Sequence, residues 1–308
     1  MLIRRGDEPC RNARRGCVVA IGNFDGLHLG HQAILDVLRR CGREEGLPAA
    51  VLTFEPHPRE HLAPEAAPAR LMRLRDKAEA LAAQGIDELR VLRFGAAVSR
   101  WDGMTFIERV LVRAMGAKRV VIGEGFRFGR GRGGDVMLLR GAGATSGFRV
   151  DEVPPFAVGG MPASSTRVRQ ALAAGRLEDA GALLGRDFRI SGRVIAGARL
   201  GRKLGFPTAN LRLHRRRSPV AGIFAVRVSG LAFERRPGVA SVGTRPAVGG
   251  SEWLLEVHLF DFEADLYRQR LDVDFIARLR DEIAYDNLGA MTEQMHRDAA
   301  QARALLAA

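Results

Sequence analysis

The sequence contains few lysines, cysteines and aromatic residues. Three of its 48 basic residues are lysines, three residues are cysteines, and aromatic side chains make up 6% of the 308 residues. The cysteines are odd in number and lack metal-binding spacing, which excludes a disulfide-rich scaffold and predicts a reduced, cytoplasmic setting. No apolar run approaches the roughly 20 residues of a membrane span, and segment 1–16 lacks the apolar core of a signal peptide. Neither a membrane partner nor secretion is therefore expected.

Arginine is in excess instead. The formal net charge is +13, and such a charge by itself favours nucleic acid or an anionic membrane as a partner. The arginines are spread along the chain, however, with local clusters at 127–132 and 215–217, and aromatic residues for base stacking are scarce. We interpret the charge as mainly a compositional preference for arginine, together with local recognition of phosphorylated small molecules, and nucleic-acid binding is the minority hypothesis. A basic regulator that binds nucleic acid or flavin remains the non-enzymatic alternative, and self-association is left open.

The region from Cys17 to about Pro154 alternates apolar runs with amphipathic stretches. The runs predict strands at 18–21, 49–54, 89–94, 119–123 and 148–153, and the stretches predict helices at 32–43, 73–84, 104–115 and 135–143. This alternation predicts a parallel sheet covered by helices, a Rossmann-like α/β layer. Ligands of such layers bind beyond the carboxyl ends of the strands. Short helices are predicted at 165–174 and 177–184.

Beyond Gly185 the pattern changes to short β-rich runs separated by Gly, Pro and Arg turns. They lie at 188–195, 223–228, 238–242, 253–260 and 271–275. These runs predict an antiparallel β-barrel, followed by C-terminal helices at 276–285 and 288–307. We place the boundary near Leu184–Arg186, giving domains of residues 1–184 and 185–308. Two domains also agree with the chain length.

The segment Gly22–His31 connects the first predicted strand to the first helix. A helix that begins after a glycine turn directs backbone N–H groups at an anion. His28 and His31 are three residues apart and face the same side, where they can stabilise phosphate charge in a transition state. Histidine pairs also bind zinc, but a catalytic zinc site needs a third protein ligand, and no Cys-x-x-Cys is present. A nucleotide site is the favoured interpretation over zinc or a solvated loop.

This segment resembles the Gly-x-Phe-Asp-Gly-x-His-x-Gly-His signature of nucleotidyltransferases, in particular the N-terminal half of the bacterial bifunctional FAD synthetase family. The string Ser164–Arg169 resembles that family's Ser-Ser-Thr-x-x-Arg element, at a predicted helix start suited to phosphate. The resemblance implies an ATP site formed by Gly22, Phe24, Asp25, Gly26, His28, His31, Ser165, Thr166 and Arg169. Two further segments, Thr53–Pro58 and Gly123–Gly129, match the flavin side of the pocket and imply contacts from His57, Phe126 and Phe128. Gly125 replaces a polar residue of the family.

The glycine-rich segment 197–210 contains no P-loop motif. Thr208 and Asn210 are two residues apart, so in an extended chain they face one side and offer oxygen ligands for Mg²⁺. The string Gly-Phe-Pro-Thr-Ala-Asn at 205–210 closely resembles the riboflavin kinase motif. That resemblance implies an ATP and Mg²⁺ site formed by Gly197, Gly201, Arg202, Gly205, Pro207, Thr208 and Asn210, with Thr208 and Asn210 as the metal ligands.

A candidate general base lies in the run 255–262, where alternation places Glu256 and His258 on one face. A kinase that acts on an alcohol benefits from a carboxylate that accepts the hydroxyl proton. The run resembles the kinase family's Glu-x-His-x-x-Asp-Phe element, which implies that Glu256 is this base. The family also implies flavin-side roles for Glu256, Arg280 and Glu282. Departures from the family occur around the barrel loops, at Phe224, Ser241, Ala247, Val248 and Arg268.

The resemblance covers the chain from about Cys17 in the family's motif order. It implies a bifunctional enzyme that phosphorylates riboflavin to FMN and then adenylylates FMN to FAD, with ATP as cosubstrate, Mg²⁺ as cofactor and pyrophosphate as a product. In the second step His28 and His31 would stabilise the α-phosphoryl transition state, while Ser165, Thr166 and Arg169 hold the leaving phosphates. A single-function nucleotidyltransferase whose barrel only binds flavin is the enzymatic alternative.

Overall fold

The computed structural model describes residues 1–9, 15–196, 204–247 and 250–307. The chain divides into two compact units. The first comprises Met1–Pro68 and Met72–Ser164, and the second comprises Ala69–Leu71 and Ser165–Ala308. The domain boundary that the sequence places near Leu184–Arg186 stays a prediction.

The first unit is built on a parallel sheet, as predicted. Its strands are β1 (Leu2–Arg5), β2 (Cys17–Ile21), β3 (Ala49–Glu55), β4 (Glu88–Arg93), β5 (Ala117–Gly123) and β6 (Arg149–Val153). Their order is β1-β4-β3-β2-β5-β6, and every neighbouring pair is parallel. The chain therefore leaves β2 toward β3 on one side and later returns to β5 on the other. The crevice at the carboxyl ends of β2 and β5 is the switch point at which such sheets bind ligands.

Helices cover both faces of this sheet. They are α1 (Leu29–Glu45), α2 (Pro58–Leu62), α3 (Leu74–Ala83), α4 (Gly103–Phe106), a π-helix that continues α4 (Ile107–Ala114), and α5 (Val136–Ser146). The hairpin of β7 (Ala157–Val158) and β8 (Met161–Pro162) follows β6. Alternate residues of β2 enter two apolar clusters: Val19 and Ile21 pack in one, and Val18 and Ala20 in the other. Because helices cover both faces of the sheet, the central strands are continuous apolar runs.

The second unit is a closed antiparallel barrel, again as predicted. Its strands are β9 (Phe188–Ile195), β10 (Ala209–Arg212), β11 (Gly222–Gly230), β12 (Phe233–Ala247), β13 (Gly250–Leu259) and β14 (Arg270–Arg280), in the order β10-β13-β12-β11-β14-β9. The helices α6 (Ser165–Ala173) and α7 (Leu177–Leu184) precede the barrel, and α8 (Leu288–Ala307) follows it. Leu255 and Val257 are fully buried while Glu256 between them is not, so Glu256 lies on the outer face of the barrel.

Helix α8 packs on that outer face. Ala302 and Leu306 of the helix join Ala225 and Phe260 in one apolar cluster. The predicted helix at 288–307 is confirmed, but the predicted helix at 276–285 is wrong. Residues up to Arg280 continue strand β14, because Arg280 still pairs with Ile223 of β11 and the ladder extends to that point.

Candidate active sites

The segment Gly22–His31 lies at the carboxyl end of β2 and leads into α1, beside the switch point. Its backbone is unusual, because Phe24 and Leu27 adopt positive φ angles of 47° and 46°. The Phe24 ring is buried and lies over Gly22, where a Cβ atom would come within 3.1 Å of it. Non-glycine residues rarely hold such backbone angles unless their surroundings enforce them, and they are frequent at ligand sites.

Hydrogen bonds from neighbouring elements hold this turn. The buried Asp25 accepts the Met72 N–H at 2.9 Å. The hydroxyl of Thr53 on β3 donates to the Asn23 carbonyl at 3.2 Å and itself accepts from the buried Lys77 ammonium at 3.3 Å. The predicted ATP residue Asp25 thus anchors the backbone of the turn. The sequence reasoning missed Lys77 and placed Thr53 only in the flavin-side segment 53–58, because no local pattern connects either residue to residue 23.

The two histidines of the turn are in direct contact. The rings of His28 and His31 are stacked, with centroids 3.7 Å apart. His28 is the N-cap of α1, and its Nδ1 accepts the His31 N–H at 3.4 Å. An imidazole nitrogen that accepts carries no proton, so in neutral His28 the proton is on Nε2, which can donate to an anion. A Cβ atom at Gly30 would lie 3.2 Å from the His28 ring and 3.1 Å from the Ala163 carbonyl oxygen, so a glycine allows this close packing.

The predicted flavin-side residues lie after β3 and β5. His57 is the N-cap of the short helix α2 and accepts the Arg59 N–H at 3.2 Å. Phe126 is half-buried and stacks on Phe128, with ring centroids 5.7 Å apart. Phe128 is buried in the core of the layer. Gly125, the departure from the family, has φ +71° and open space around it, a conformation that Asn or Asp would also tolerate.

Ser165, Thr166 and Arg169 belong to the second compact unit. Ser165 begins α6, and Thr166 is exposed in its first turn. The Arg169 Nε donates to the Ala69 carbonyl at 2.6 Å. These three residues therefore lie on one helix start, as the sequence predicts.

In the barrel, the predicted kinase residues Asn210 and Glu256 are neighbours. Asn210 on β10 is paired with Glu256 on β13, and Glu256 is paired in turn with Ser241 on β12. Directly opposed residues of antiparallel strands project to the same face with Cβ atoms about 4.5–5.5 Å apart. The three side chains thus form a polar row across the outer face of the barrel, here called the Glu256 row.

A second carboxylate meets this row. Glu282 accepts a hydrogen bond from the Ser241 hydroxyl at 2.9 Å. A Cβ atom added to Gly243 would overlap the Glu282 carboxylate, so the absence of a side chain at 243 creates the space that Glu282 fills. Ser241, which departs from the usual Asn of the family, therefore contacts Glu282 directly and is the register partner of Glu256.

Arg280 is held by the C-terminal helix. Its guanidinium donates to both carboxylate oxygens of the buried Asp298 on α8, the shortest distance being 2.6 Å, and to the Asp281 carbonyl at 2.8 Å. The hydrogen bonds to Asp298 raise the pKa of Arg280 above its usual range. This contact fixes α8 to β14 at the end of the barrel where Glu282 follows. Sequence reasoning missed Asp298, which shares no motif with Arg280.

Thr208 and Asn210 suit a magnesium ion in their chemistry. Thr208 is half-buried and Asn210 is buried. The Asn210 amide nitrogen donates to the Thr208 carbonyl at 3.4 Å, so the amide oxygen is the atom through which Asn210 would bind a cation. Two neutral oxygens match the few protein ligands that Mg²⁺ takes when it is bound mainly through water and substrate phosphates.

A cavity of about 620 Å³ opens beside Thr208. Its lining combines the aliphatic side chains of Val194, Ala209, Val257 and Leu259 with the loop from Phe262 to Tyr267, which includes the acidic residues Glu263 and Asp265. Ala209 and Val257 alternate with Asn210 and Glu256 along their strands, so the cavity contacts the opposite side of β10 and β13 from the Glu256 row. Thr208 is the predicted metal ligand that also lines the cavity.

Three of the predicted kinase residues, Gly197, Gly201 and Arg202, lie outside the described residues. Gly205 is described, with φ +81° and open space around it, and Pro207 lines the cavity. Among the described residues, no group of three or more His, Cys, Asp or Glu side chains could hold a metal ion. No helix of the described part of the chain is long and apolar enough to cross a membrane.

Comparisons with known proteins match the two parts of the chain to two families. Residues 10–167 match the profile of the FAD synthetase family, and residues 184–306 match that of riboflavin kinase. Similar curated proteins include the bifunctional riboflavin kinase/FMN adenylyltransferase of Escherichia coli strain K12, 46% identical over 98% of this chain and 96% of the relative. The protein of the same name from Pseudomonas fluorescens is 45% identical over 100% of this chain and 98% of the relative.

A solved structure with the same fold comes from Streptococcus pneumoniae. It has a TM-score of 0.80 and 29% identity, covers 98% of this chain and 99% of its own, and is described as a macrolide-efflux protein. That description concerns the Streptococcus protein.

A Rossmann-like layer that matches the FAD synthetase family, followed by a barrel that matches riboflavin kinase, makes the chain a transferase that combines a nucleotidyltransferase with a kinase. The chain belongs to the family of bifunctional riboflavin kinase/FMN adenylyltransferases.

Proposed function

We propose that the barrel of this chain converts riboflavin to FMN and that its α/β layer converts FMN to FAD, each with one ATP and with Mg²⁺ as the metal. Family membership makes the chain a riboflavin kinase and FMN adenylyltransferase of FAD biosynthesis. The roles of individual residues, the requirement for Mg²⁺ and the cytoplasmic location are our proposals.

For the kinase step, Glu256 accepts the proton of the riboflavin 5′-hydroxyl as that oxygen attacks the γ-phosphorus of ATP, the bond from the γ-phosphorus to the bridging oxygen breaks, and ADP leaves. Bound Mg²⁺ would neutralise charge on the phosphates as it develops. Thr208 and Asn210 would hold the metal with its bound phosphates. Asn210 lies opposite Glu256 in the barrel ladder, and this register supports the proposal that the general base and the phosphate site share one rigid surface. Positioning of this kind supplies much of the rate of phosphoryl transfer.

Glu282 and Arg280 are proposed to lie at the side of the Glu256 row where the flavin binds. Ser241 and Gly243 hold the Glu282 carboxylate next to the row, where it can accept a hydrogen bond from a polyol substrate. Arg280 is proposed to contribute indirectly: its ion pair with Asp298 fixes α8 beside the Glu256 row. The cavity next to Thr208 is proposed to take the base of ATP, since part of its lining is aliphatic and the proposed phosphate-side residue Thr208 also lines it.

For the adenylyl step, a phosphate oxygen of FMN attacks the α-phosphorus of ATP and pyrophosphate leaves. Nε2–H of His28, with His31 stacked against it, donates to the α-phosphoryl oxygens as their charge grows. Backbone N–H groups at the start of α1 add to this stabilisation. The Ser165, Thr166 and Arg169 element is proposed, from its sequence motif, to hold the leaving phosphates. His57 and Phe126 are proposed to contact FMN.

The observation that carries the proposal is the Glu256 row, because it joins the metal-ligand candidate Asn210 to a carboxylate in one strand register. The purified chain should be incubated with riboflavin, ATP and Mg²⁺, and separately with FMN, ATP and Mg²⁺. The first incubation is expected to form FMN and the second FAD. FAD formation without riboflavin phosphorylation would favour the alternative, a single-function nucleotidyltransferase with a barrel that only binds flavin.

A further inference from the structure

The carbonyl of Pro207 lies directly before the predicted metal ligand Thr208 and accepts a hydrogen bond from a histidine side chain. The partner is Nδ1 of His258 on β13, at 2.9 Å. A carbonyl oxygen can only accept, so Nδ1 of His258 carries the proton. The imidazole is therefore a donor fixed on a barrel strand, and its acceptor belongs to the segment that ends in Thr208 and Asn210.

His258 is itself rigidly placed. It follows Glu256 by two residues on the same strand, so both side chains project to the outer face, and its register partner is Val239 on β12. Phe206, next to Pro207, meets the edge of the His258 ring at a centroid distance of 5.1 Å. The same phenylalanine meets His296 of α8 at 4.8 Å. The segment Phe206–Thr208 is thus held from β13 and from α8.

We infer that His258 is a positioning residue of the kinase, which sets Thr208 for MgATP through its hydrogen bond to the Pro207 carbonyl. This inference rests on the proposed kinase function. His258 holds the chain that carries Thr208 and is not itself proposed to contact substrate. Since a displacement of about 1 Å can cost about 100-fold in rate, loss of the donor should weaken MgATP use without changing riboflavin binding. Burial, the largest influence, lowers the pKa of His258, which keeps the imidazole neutral in this role near pH 7.

Two variants separate the donor from the ring. The amide nitrogen of Asn can occupy the position of histidine Nδ1, so His258→Asn keeps a donor and loses the ring. His258→Phe keeps a ring against Phe206 and loses the donor. We expect His258→Phe to raise KM for MgATP in riboflavin phosphorylation about tenfold, the equivalent of one hydrogen bond, and to weaken MgADP binding in calorimetry by a similar factor. His258→Asn should stay within about threefold of the parent in both measurements.

The full-length chain provides its own controls. Riboflavin affinity, measured by fluorescence quenching, should not change in either variant, and FAD formation from FMN should be unaffected. The inference is overturned if His258→Phe behaves like the parent, or if both variants lose MgADP affinity equally while the barrel melts at an unchanged temperature.

A spectroscopic measurement tests the same point without turnover. The ¹⁵N imidazole signals of the parent chain should show a protonated Nδ1 at His258 at pH 7.5, assigned by their loss in His258→Asn. An unprotonated Nδ1 would overturn the inference. If the parent failed to phosphorylate riboflavin while this signal and MgADP binding behaved as expected, the proposed kinase reaction would fail and the positioning role toward nucleotide would stand.

Discussion

Asn210 and Glu256 are direct partners across the ladder of β10 and β13, so a candidate metal ligand and a candidate general base share one strand register. Neither depends on a loop for its position. The same register continues to Ser241, whose hydroxyl holds Glu282. The strand-borne part of the proposed kinase surface is Asn210, Glu256 and Ser241, and the positions of these side chains follow from the pairing of the strands.

Glu256→Gln should lower the rate of riboflavin phosphorylation about 10²- to 10⁴-fold, because the hydroxyl loses its proton acceptor while the shape of the side chain is kept. The rate is measured from FMN formation at saturating ATP. Glu252→Gln is the matched control, since Glu252 lies on the same strand and forms an ion pair with Arg212 at 2.7 Å. Equal rates for Glu256→Gln and the parent would remove Glu256 from the mechanism.

His28→Ala should reduce FAD formation from FMN about 10²-fold or more, because a preorganised donor to the transition state is removed. FMN formation from riboflavin should continue at the parent rate. His61→Ala, an exposed histidine of the same unit, should leave both activities unchanged. Loss of both activities in a folded His28→Ala chain would argue against two separate sites.

Gly243→Ala should impair the kinase, since the new methyl group would overlap the Glu282 carboxylate and displace it from Ser241. We expect KM for riboflavin to rise about tenfold, comparable to one lost hydrogen bond. Gly181→Ala is the control, because its Cβ would meet only ordinary contact at 3.7 Å. An unchanged KM in Gly243→Ala would show that Glu282 does not contribute to flavin binding.

Asp298→Ala should destabilise the barrel by about 3 kcal/mol, because it leaves the Arg280 guanidinium without its buried partner. Urea unfolding can be followed at Trp253 in a Trp101→Phe background, which restricts the signal to the barrel. Glu293→Ala on the same helix removes only an exposed ion pair with Arg297 and should change the free energy of unfolding by less than about 1 kcal/mol. Equal effects of the two substitutions would contradict the anchoring role of Asp298.

The pH dependence of barrel stability should contain a contribution from His258. Burial and the charge of Arg303 lower its pKa below the ordinary value of 6.5, against opposing contributions from the Pro207 carbonyl and Asp261. The folded barrel therefore favours neutral His258, and unfolding takes up a proton below about pH 6.5. This contribution to stability is complete above pH 6.5 and is lost as the pH falls through the folded pKa.

His258→Asn removes the titrating group and tests that contribution. The unfolding free energy of the parent minus that of His258→Asn should decrease as the pH is lowered from 7.5 to 5. A difference that stays constant or grows over this range would contradict the lowered pKa.

Local sequence patterns predicted most of the fold. The run at 18–21 is visible as a strand because both faces of the sheet are covered, so its residues are uniformly apolar. Strand β1 was missed, since it lies at the sheet edge and half of its four residues are arginine. The error at 276–285 has a related cause: the pairing of Arg280 with Ile223 that extends β14 is a tertiary contact without a local signal.

The candidate sites were predictable to the extent that their motifs are contiguous. The stacked histidines arise within one turn of chain, and Thr208 and Asn210 within three residues. The Ser241–Glu282 bond joins residues 41 apart, and the His258–Pro207 bond joins residues 51 apart. Such contacts depend on how the barrel closes, and strand periodicity alone leaves the strand order open.

The central claim, two phosphorus chemistries at two sites of one chain, is tested most directly by a time course with riboflavin, excess ATP and Mg²⁺, in which flavins are separated by chromatography. We predict that FMN appears first and that FAD follows, and that the His28→Ala chain stops at FMN while Glu256→Gln forms FAD only from added FMN. A parent chain that forms neither product, or variants that lose both steps together, would contradict the account.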